Sequence, residues 1–132
     1  MRQIAIASSD GKRITGHAGK CRRWLVFDVG EDGVIPEPSR LELPKDLVFH
    51  HFRHDFSEEH PHPLMGIEAL IAQSSGESFQ HKMEKRGVRA IMTAEDAPVA
   101  AVRAYLDGNP TPPRPRPIMG LVCKIRDSLS KP

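Results

Sequence analysis

The amino-acid sequence predicts a single α/β domain whose mixed sheet begins with a β-meander and ends with a β–α–β–α unit. A length of 132 residues suits one domain with one core and is short for two. Short apolar runs separated by glycine and proline turns fill the first third, whereas strand and helix patterns alternate in the second half. We expect this domain to span residues 1–108, followed by a proline-rich linker at 109–117 and a C-terminal segment at 118–132.

The meander is predicted to consist of three or four short strands. Residues 4–7 are an apolar run that stops at a Ser-Ser-Asp-Gly turn, which is typical of a buried strand. Residues 13–15 are interpreted as a short returning strand, and residues 24–29 as a longer strand closed by a Glu-Asp-Gly turn. Residues 34–43 alternate in polarity but contain two prolines, so we expect an edge strand there at best.

The second half alternates strands with amphipathic helices. We expect a strand at residues 67–72, a helix at 77–87 that ends at a glycine, and a strand at 88–92. Residues 93–98 carry the start signals of a last helix, which stops at residues 108–109. We expect it to direct three apolar side chains toward the core: Val99, Val102 and Leu106. Because a strand–helix–strand order requires right-handed crossovers, the strands of this half should pair in parallel.

The C-terminal part departs from this pattern. Five prolines in nine residues make 109–117 an extended linker that cannot join the core. Residues 118–132 contain enough apolar side chains for a short amphipathic helix. Such a helix could dock on its own domain or join a second copy in a homodimer, and the sequence does not choose between these.

Composition and charge narrow the class of function. Apolar residues make up 39% of the chain and charged residues 27%, and no apolar run approaches the roughly 18 residues that a membrane span needs. We therefore expect a cytoplasmic protein that does not enter a membrane. A net charge of +2 is too small for a general nucleic-acid binder. Cys21 and Cys123 form no disulfide framework and are expected to stay thiols.

The strongest local feature is the loop at residues 11–23, which contains one histidine, one cysteine and five cations but no acid. Imidazole and thiolate ligate iron in iron–sulfur clusters, and neighbouring cations are expected to lower the pKa of the thiol and to attract an anionic guest. Loop glycines let the backbone approach a bulky guest and offer amide donors. The candidate cofactor-binding residues are Gly16, His17, Gly19, Lys20, Cys21 and Arg22, with His17 and Cys21 as candidate metal ligands.

A less specific interpretation of this loop stays open. His17 would then satisfy loop carbonyls, and Cys21 would pack as a small apolar residue at the start of a strand. The cations would simply be solvated.

Residues 45–63 lack periodicity and are interpreted as a polar loop that carries five histidines within thirteen residues. Such a density near three carboxylates makes a borderline metal such as zinc, nickel or iron one candidate guest. The candidate ligands are His51, His54, His60 and His62. Two alternatives stay open: the histidines are solvated, or one or two of them close over a guest held at His17.

The turn at residues 73–76 lies between a predicted strand and a predicted helix. Sheets of this class bind anions at such places with the amides of the helix N-terminus, so Ser75 and Gly76 are further candidates for cofactor binding. A plain strand–helix connection is the alternative.

These elements together resemble the dinitrogenase iron–molybdenum cofactor biosynthesis family, which includes the NifX-type carriers and the C-terminal part of NifB. The similarity is carried by the IAIAS strand, the Gly-His-Ala-Gly loop at residues 16–19, the WLVFDV strand, and the strand, Ser-Gly turn, helix, strand and helix that follow. His17 is the most specific residue of the match. Members usually have phenylalanine after this histidine, where the present chain has Ala18.

The resemblance implies an RNase H-like fold and the reversible binding of an anionic iron–sulfur cluster or iron–molybdenum cofactor precursor during cofactor assembly. Cofactor-assembly proteins would be the partners, and the chain would be a carrier without catalytic activity, acting in nitrogen fixation. The alternative is a regulatory module that binds a protein partner through the histidine-rich loop and the C-terminal segment, without a cluster.

An enzyme is not favoured by the residues themselves. A nuclease of this fold needs carboxylates on its central strands, yet residues 4–7 contain no acid, and no third strand acid joins Asp10 and Asp28. Motifs of a nucleophile elbow, a phosphate-binding loop or a dinucleotide site are not found.

Overall fold

The computed structural model describes residues 2–52, 62–64 and 66–113, which form a five-stranded sheet and two α-helices. The strands are β1 (Arg2–Ala7), β2 (Arg23–Val29), β3 (Ser39–Glu42), β4 (Ala69–Ala72) and β5 (Arg89–Met92). The helices are α1 (Glu77–Lys85) and α2 (Pro98–Leu106), and short 3₁₀ turns cover Ala18–Lys20 and Lys45–Leu47.

The sheet is mixed, with the strand order β3-β2-β1-β4-β5. β1 pairs antiparallel with β2, and β2 pairs antiparallel with β3, so the first three strands form the expected meander. β4 pairs in parallel with both β1 and β5. The predicted fold class, a meander followed by β–α–β–α in one mixed α/β domain, is confirmed, as is the edge position of the proline-flanked strand.

The central strand β1 is buried on both faces of the sheet, which explains its unbroken apolar run. Ala5 and Ala7 face one apolar cluster, which includes Trp24, Phe49, Leu70 and Met83 of α1. Ile4 and Ile6 face the other cluster, which includes Phe27, Val29, Val102 and Tyr105 of α2. One helix therefore covers each face, and the carboxyl ends of β1 and β4 meet at one edge.

Residues 13–15 do not form the predicted strand. The backbone N–H of Ile14 donates to the carbonyl of Asp96 at 2.8 Å, and that of Thr15 donates to the carbonyl of Ala7 at 3.0 Å. The segment therefore crosses from the end of β1 toward the loop before α2. Its apolar residue, Ile14, is fully buried there, which accounts for the strand-like pattern.

The predicted apolar face of the last helix is partly wrong. Val102 is buried and Leu106 packs against the core as expected, but Val99 is 54% exposed. Ala101 and Tyr105 are buried instead. At about 100° per residue, Val99 lies about 160° around the helix from Ala101, so both cannot face the sheet.

The described ends of the segment at residues 45–63 are not a polar loop. Four residues of the segment are buried: Val48, Phe49 and Phe52 in its first part, and His62 near its end. Val48 and Phe49 belong to the same core cluster as Met83 of α1, so tertiary packing outweighs the polar composition of the segment. Residues 53–61 lie outside the described part.

The predicted linker is described only at residues 109–113, where the carbonyl of Pro112 accepts from the N–H of Ala94 at 3.0 Å. Its remainder and the segment at 118–132, including Cys123, lie outside the described residues. Within the described part, none of the helices has the length and apolar character to cross a membrane.

Candidate cofactor-binding cleft

An open cleft of about 410 Å³ lies where β1 ends and β2 begins. Because β1 and β4 run in parallel, the loop after β1 and the turn after β4 meet at the same edge of the sheet. Ligands of open α/β sheets bind at this kind of edge. The cleft is lined by Ser9, Thr15, Gly16, His17, Lys20, Cys21, Arg22, Arg23 and Glu42.

The loop that carries His17 is fastened to the turn after β4. His17 and Ser74 form a parallel bridge, and the N–H of Ala18 donates to the carbonyl of Ser74 at 2.9 Å. On the other side, the carbonyl of Gly19 accepts from the N–H of His50 at 2.6 Å. Ala18 is buried in the core cluster. The backbone on both sides of His17 is thus held in place.

The imidazole of His17 is oriented by the loop itself. Its Nδ1 accepts a hydrogen bond from the N–H of Gly19 at 3.1 Å, which caps the 3₁₀ turn Ala18–Lys20. A Cβ added to Gly19 would stand 3.4 Å from the ring, so the imidazole lies directly over this residue. The Gly19 amide, expected to face a guest, therefore serves to position His17. Gly16 is exposed, and its φ of +82° favours glycine.

Cys21 lines the same cleft but is not an activated thiol. The thiol donates to the carbonyl of Arg23 at 2.9 Å, and the residue packs against the core cluster. Burial raises the pKa of the Cys21 thiol. The predicted lowering of this pKa is wrong, because the desolvation of the thiolate on burial outweighs the backbone hydrogen bonds that act in the opposite direction.

The neighbouring guanidinium groups pair with an acid that the sequence analysis missed. Glu42 of β3 lies 3.3 Å from Nη2 of Arg22 and 3.4 Å from Nε of Arg23. Arg22 also donates to the carbonyl of Leu43, and Arg23 to that of Ser9. Glu42 stands opposite Arg23 in the β2–β3 register, twenty residues away from the loop, so no local pattern reveals it.

Two small polar residues of the cleft were also missed. The hydroxyls of Ser9 and Thr15 lie 2.8 Å apart, and Thr15 Oγ1 accepts from the N–H of Ser9 at 2.7 Å. These two hydrogen bonds join the two ends of the loop segment that directly follows β1. The signal available in the sequence was the polar turn directly after a buried strand. Lys20 is exposed, and its side chain forms no ion pair with the residues that the structure describes.

The turn after β4 supports the cleft without lining it. Ser75 is buried, and its hydroxyl accepts from Nε2 of Gln80 at 3.1 Å. Gly76 is the N-cap of α1. Neither residue is part of the cleft wall, whereas Ser74 and Gln73 of the same turn contact the His17 loop.

His62 belongs to the core. Its Nδ1 accepts from the N–H of Leu64 at 3.0 Å, and its Nε2 donates to the carbonyl of Leu47 at 2.7 Å. The ring stacks on Phe49, with centroids 4.7 Å apart, and meets Phe52 edge-on. Burial lowers the pKa of His62, in agreement with a neutral ring. Both nitrogens are occupied, so this geometry leaves no lone pair for a metal.

The other described histidines of the segment, His50 and His51, do not line the cleft with His17. Both are exposed, with ring centroids 5.2 Å apart. His54 and His60 lie outside the described residues. Within residues 2–52, 62–64 and 66–113, no three side chains of histidine, cysteine, aspartate or glutamate are close enough to hold a metal ion.

The chain is a small α/β domain with an open cleft beside the carboxyl end of β1. The family model for the dinitrogenase iron–molybdenum cofactor matches residues 1–108, and the chain belongs to this family. The resemblance noted from the sequence is thereby confirmed. Membership links the chain to the biosynthesis of the iron–molybdenum cofactor.

Individual relatives agree with this assignment. Protein NifX of Rhodobacter capsulatus is 28% identical over 127 residues, which cover 89% of this chain and 77% of the relative. Among solved structures, a Methanocaldococcus jannaschii protein described provisionally as a dinitrogenase superposes with a TM-score of 0.59 at 11% identity, covering 83% of this chain and 91% of the other. A Thermotoga protein described provisionally as NifB gives a TM-score of 0.54 at 18% identity, covering 91% and 100%. At these identities the two structures support the fold alone.

Proposed function

We propose that this chain is a non-catalytic carrier that reversibly binds an anionic iron–sulfur cluster or iron–molybdenum cofactor precursor during cofactor assembly. The observation that carries the proposal is the position of His17, an exposed imidazole fixed at the wall of an open cleft that also contains three cations, Lys20, Arg22 and Arg23, against one acid, Glu42. Family membership supports the nature of the guest.

The chemistry of the cleft suits a guest that must be passed on. Lys20, Arg22 and Arg23 supply positive charge at the cleft wall, which attracts an anionic cluster. Cys21 is the one thiol of the described residues, so a cluster held here would have few protein bonds to break on release. Structural iron–sulfur centres, in contrast, are usually held by four thiolates. Cofactor-assembly proteins that deliver and receive the guest in the cytoplasm complete the proposal.

The direct test is uptake of isolated iron–molybdenum cofactor under anaerobic conditions. The purified chain is mixed with the cofactor, separated from unbound cofactor by gel filtration, and analysed for iron and molybdenum. We expect the wild-type chain to retain both metals and the His17→Ala variant to lose most of them. The matched control is His81→Ala, which removes an exposed histidine on α1, outside the cleft. Absence of metal in the wild-type fraction would contradict the carrier function.

A further inference from the structure

The hydrogen bond between His17 and Gly19 determines which ring nitrogen can meet a guest. A neutral imidazole has one N–H donor and one nitrogen with a free lone pair. Nδ1 of His17 accepts from the N–H of Gly19, so its lone pair is already in use. The proton of the neutral ring must then be on Nε2. Within the described residues, no hydrogen-bond partner of Nε2 is found.

The donor of this hydrogen bond is itself held firmly. The carbonyl of Gly19 accepts from His50, and the N–H of the next residue, Lys20, donates to the carbonyl of His17 at 3.1 Å. The preceding contact of Ala18 with Ser74 fixes the other side of the loop. A change in the direction of the Gly19 amide would break several of these bonds together. The loop therefore maintains the ring in the form that carries its proton on Nε2.

We propose that His17 holds the guest by donating a hydrogen bond from Nε2 to a sulfide or a carboxylate oxygen of the anionic cluster, and not by ligating iron. Ligation through Nε2 would require the proton to move to Nδ1, where it would face the N–H of Gly19 and remove that hydrogen bond. This inference rests on the proposed function, since it describes how the same cleft grips the same guest.

Three of the four charged side chains in the cleft wall are donors, and Glu42 is the acceptor among them. Lys20, Arg22 and Arg23 have only donor groups at their ends. The Cys21 thiol donates its hydrogen bond to the Arg23 carbonyl. An iron–sulfur cluster presents sulfides at its surface, which accept hydrogen bonds. A guest gripped in this way leaves without the breaking of a metal–nitrogen bond, which suits a carrier.

The first experiment measures the protonation of the ring without any guest. Two-bond proton–nitrogen correlations in a chain labelled with ¹⁵N-histidine report which nitrogen carries the proton. The His17 signals are identified by their absence from the His17→Gln variant. We expect His17 to carry its proton on Nε2 and to have an unprotonated Nδ1. A proton on Nδ1 with a free Nε2 would overturn the inference.

The second experiment observes the guest. Isolated iron–molybdenum cofactor is added anaerobically to the ¹⁵N-histidine chain, and electron–nuclear double resonance measures the coupling of the paramagnetic cluster to nitrogen. We expect the wild-type chain and the His17→Gln variant to give the same spectrum, with no strong isotropic nitrogen coupling that is specific to the wild-type chain. Such a coupling would establish an iron–nitrogen bond and overturn the inference, while leaving the carrier function intact. If the wild-type chain takes up no cofactor, the carrier function fails, and the inference fails with it.

A glutamine at position 17 also separates the two modes of binding. Its amide can place an N–H donor near the position of Nε2 but provides no imidazole lone pair. We expect His17→Gln to keep most of the affinity, whereas His17→Ala loses about tenfold, the scale of one hydrogen bond with a charged acceptor. Equal losses in the two variants would count against a donor role.

Discussion

The carboxylate of Glu42 lies 3.3 Å from Nη2 of Arg22, so an acid from the edge strand partly neutralises a cation of the cleft. The same carboxylate lies 3.4 Å from Nε of Arg23. All three side chains are more than half exposed, and all three line the cleft. An anionic guest must therefore compete with Glu42 for the two guanidinium groups.

Replacement of Glu42 by glutamine should raise the affinity for isolated iron–molybdenum cofactor. The expected gain is about threefold, which is the scale of an exposed ion pair, and it should shrink as salt is added. Binding titrations at low and high ionic strength measure both effects. Glu37→Gln removes an exposed acid outside the cleft and is the matched control. An unchanged or weakened affinity in Glu42→Gln would show that the carboxylate does not compete with the guest.

Gly16 should not tolerate a side chain without a loss of stability. Its φ is +82°, and a Cβ there would meet no other atom, so the backbone conformation alone sets the cost. We expect Gly16→Ala to lower the free energy of unfolding by about 1 kcal/mol. Gly16→Asn should lower it by less, because asparagine enters the left-handed region more easily. Urea unfolding measures both variants, and an alanine variant as stable as the asparagine variant would disprove this account.

His62 should make the stability of the chain depend on pH. Burial lowers the pKa of its imidazole in the folded state from the usual value of 6.5. The unfolded chain therefore binds more protons than the folded chain once the pH falls below about 6.5, so stability decreases toward acid and is fully present above that pH. Unfolding followed between pH 8 and pH 5 measures the slope.

The matched variants are His62→Gln and His81→Gln. The first removes the titrating ring, so its stability should fall less steeply between about pH 6.5 and pH 5, from a lower starting value. The second removes an exposed histidine of α1 and should keep the wild-type slope. Equal slopes in all three proteins would assign the pH dependence to other groups.

Cys21 should react slowly with alkylating reagents at neutral pH. Burial raises the pKa of the thiol, and thiolate is the reactive form. In a Cys123→Ser background, we expect iodoacetamide to modify Cys21 more slowly than free cysteine, with the rate rising at alkaline pH. Mass spectrometry over time gives the rate, and the same reaction in urea shows the exposed thiol. A rate above that of free cysteine would demonstrate an activated thiolate.

Much of the fold follows from local sequence patterns. The uninterrupted apolar run at Ile4–Ile6 identifies a strand buried on both faces, and Phe79 and Met83 identify the inner face of α1. The polar loop before β2 carries both His17 and Cys21, and both line one cleft. These features depend on residues close in sequence, so they can be inferred without the tertiary structure.

The features that were missed depend on distant residues. Glu42 reaches Arg23 through the register of β2 against β3, and the loop between those strands is long enough to leave that register open. His62 is in the core because its ring packs against Phe49 and Phe52. The polar composition of the segment around it suggested a solvated or metal-binding side chain instead. In both cases, a polar residue has a role that its sequence neighbours do not determine.

The direction of β1 has a practical consequence. Arg2, at the start of this strand, pairs with Glu68 at the sheet edge opposite to the cleft. Five residue steps of about 3.3 Å each separate Arg2 from Ala7, beside which the cleft lies. An affinity tag or a surface linkage attached before Arg2 therefore leaves the guest's approach unobstructed, so immobilised protein suits binding measurements by surface methods.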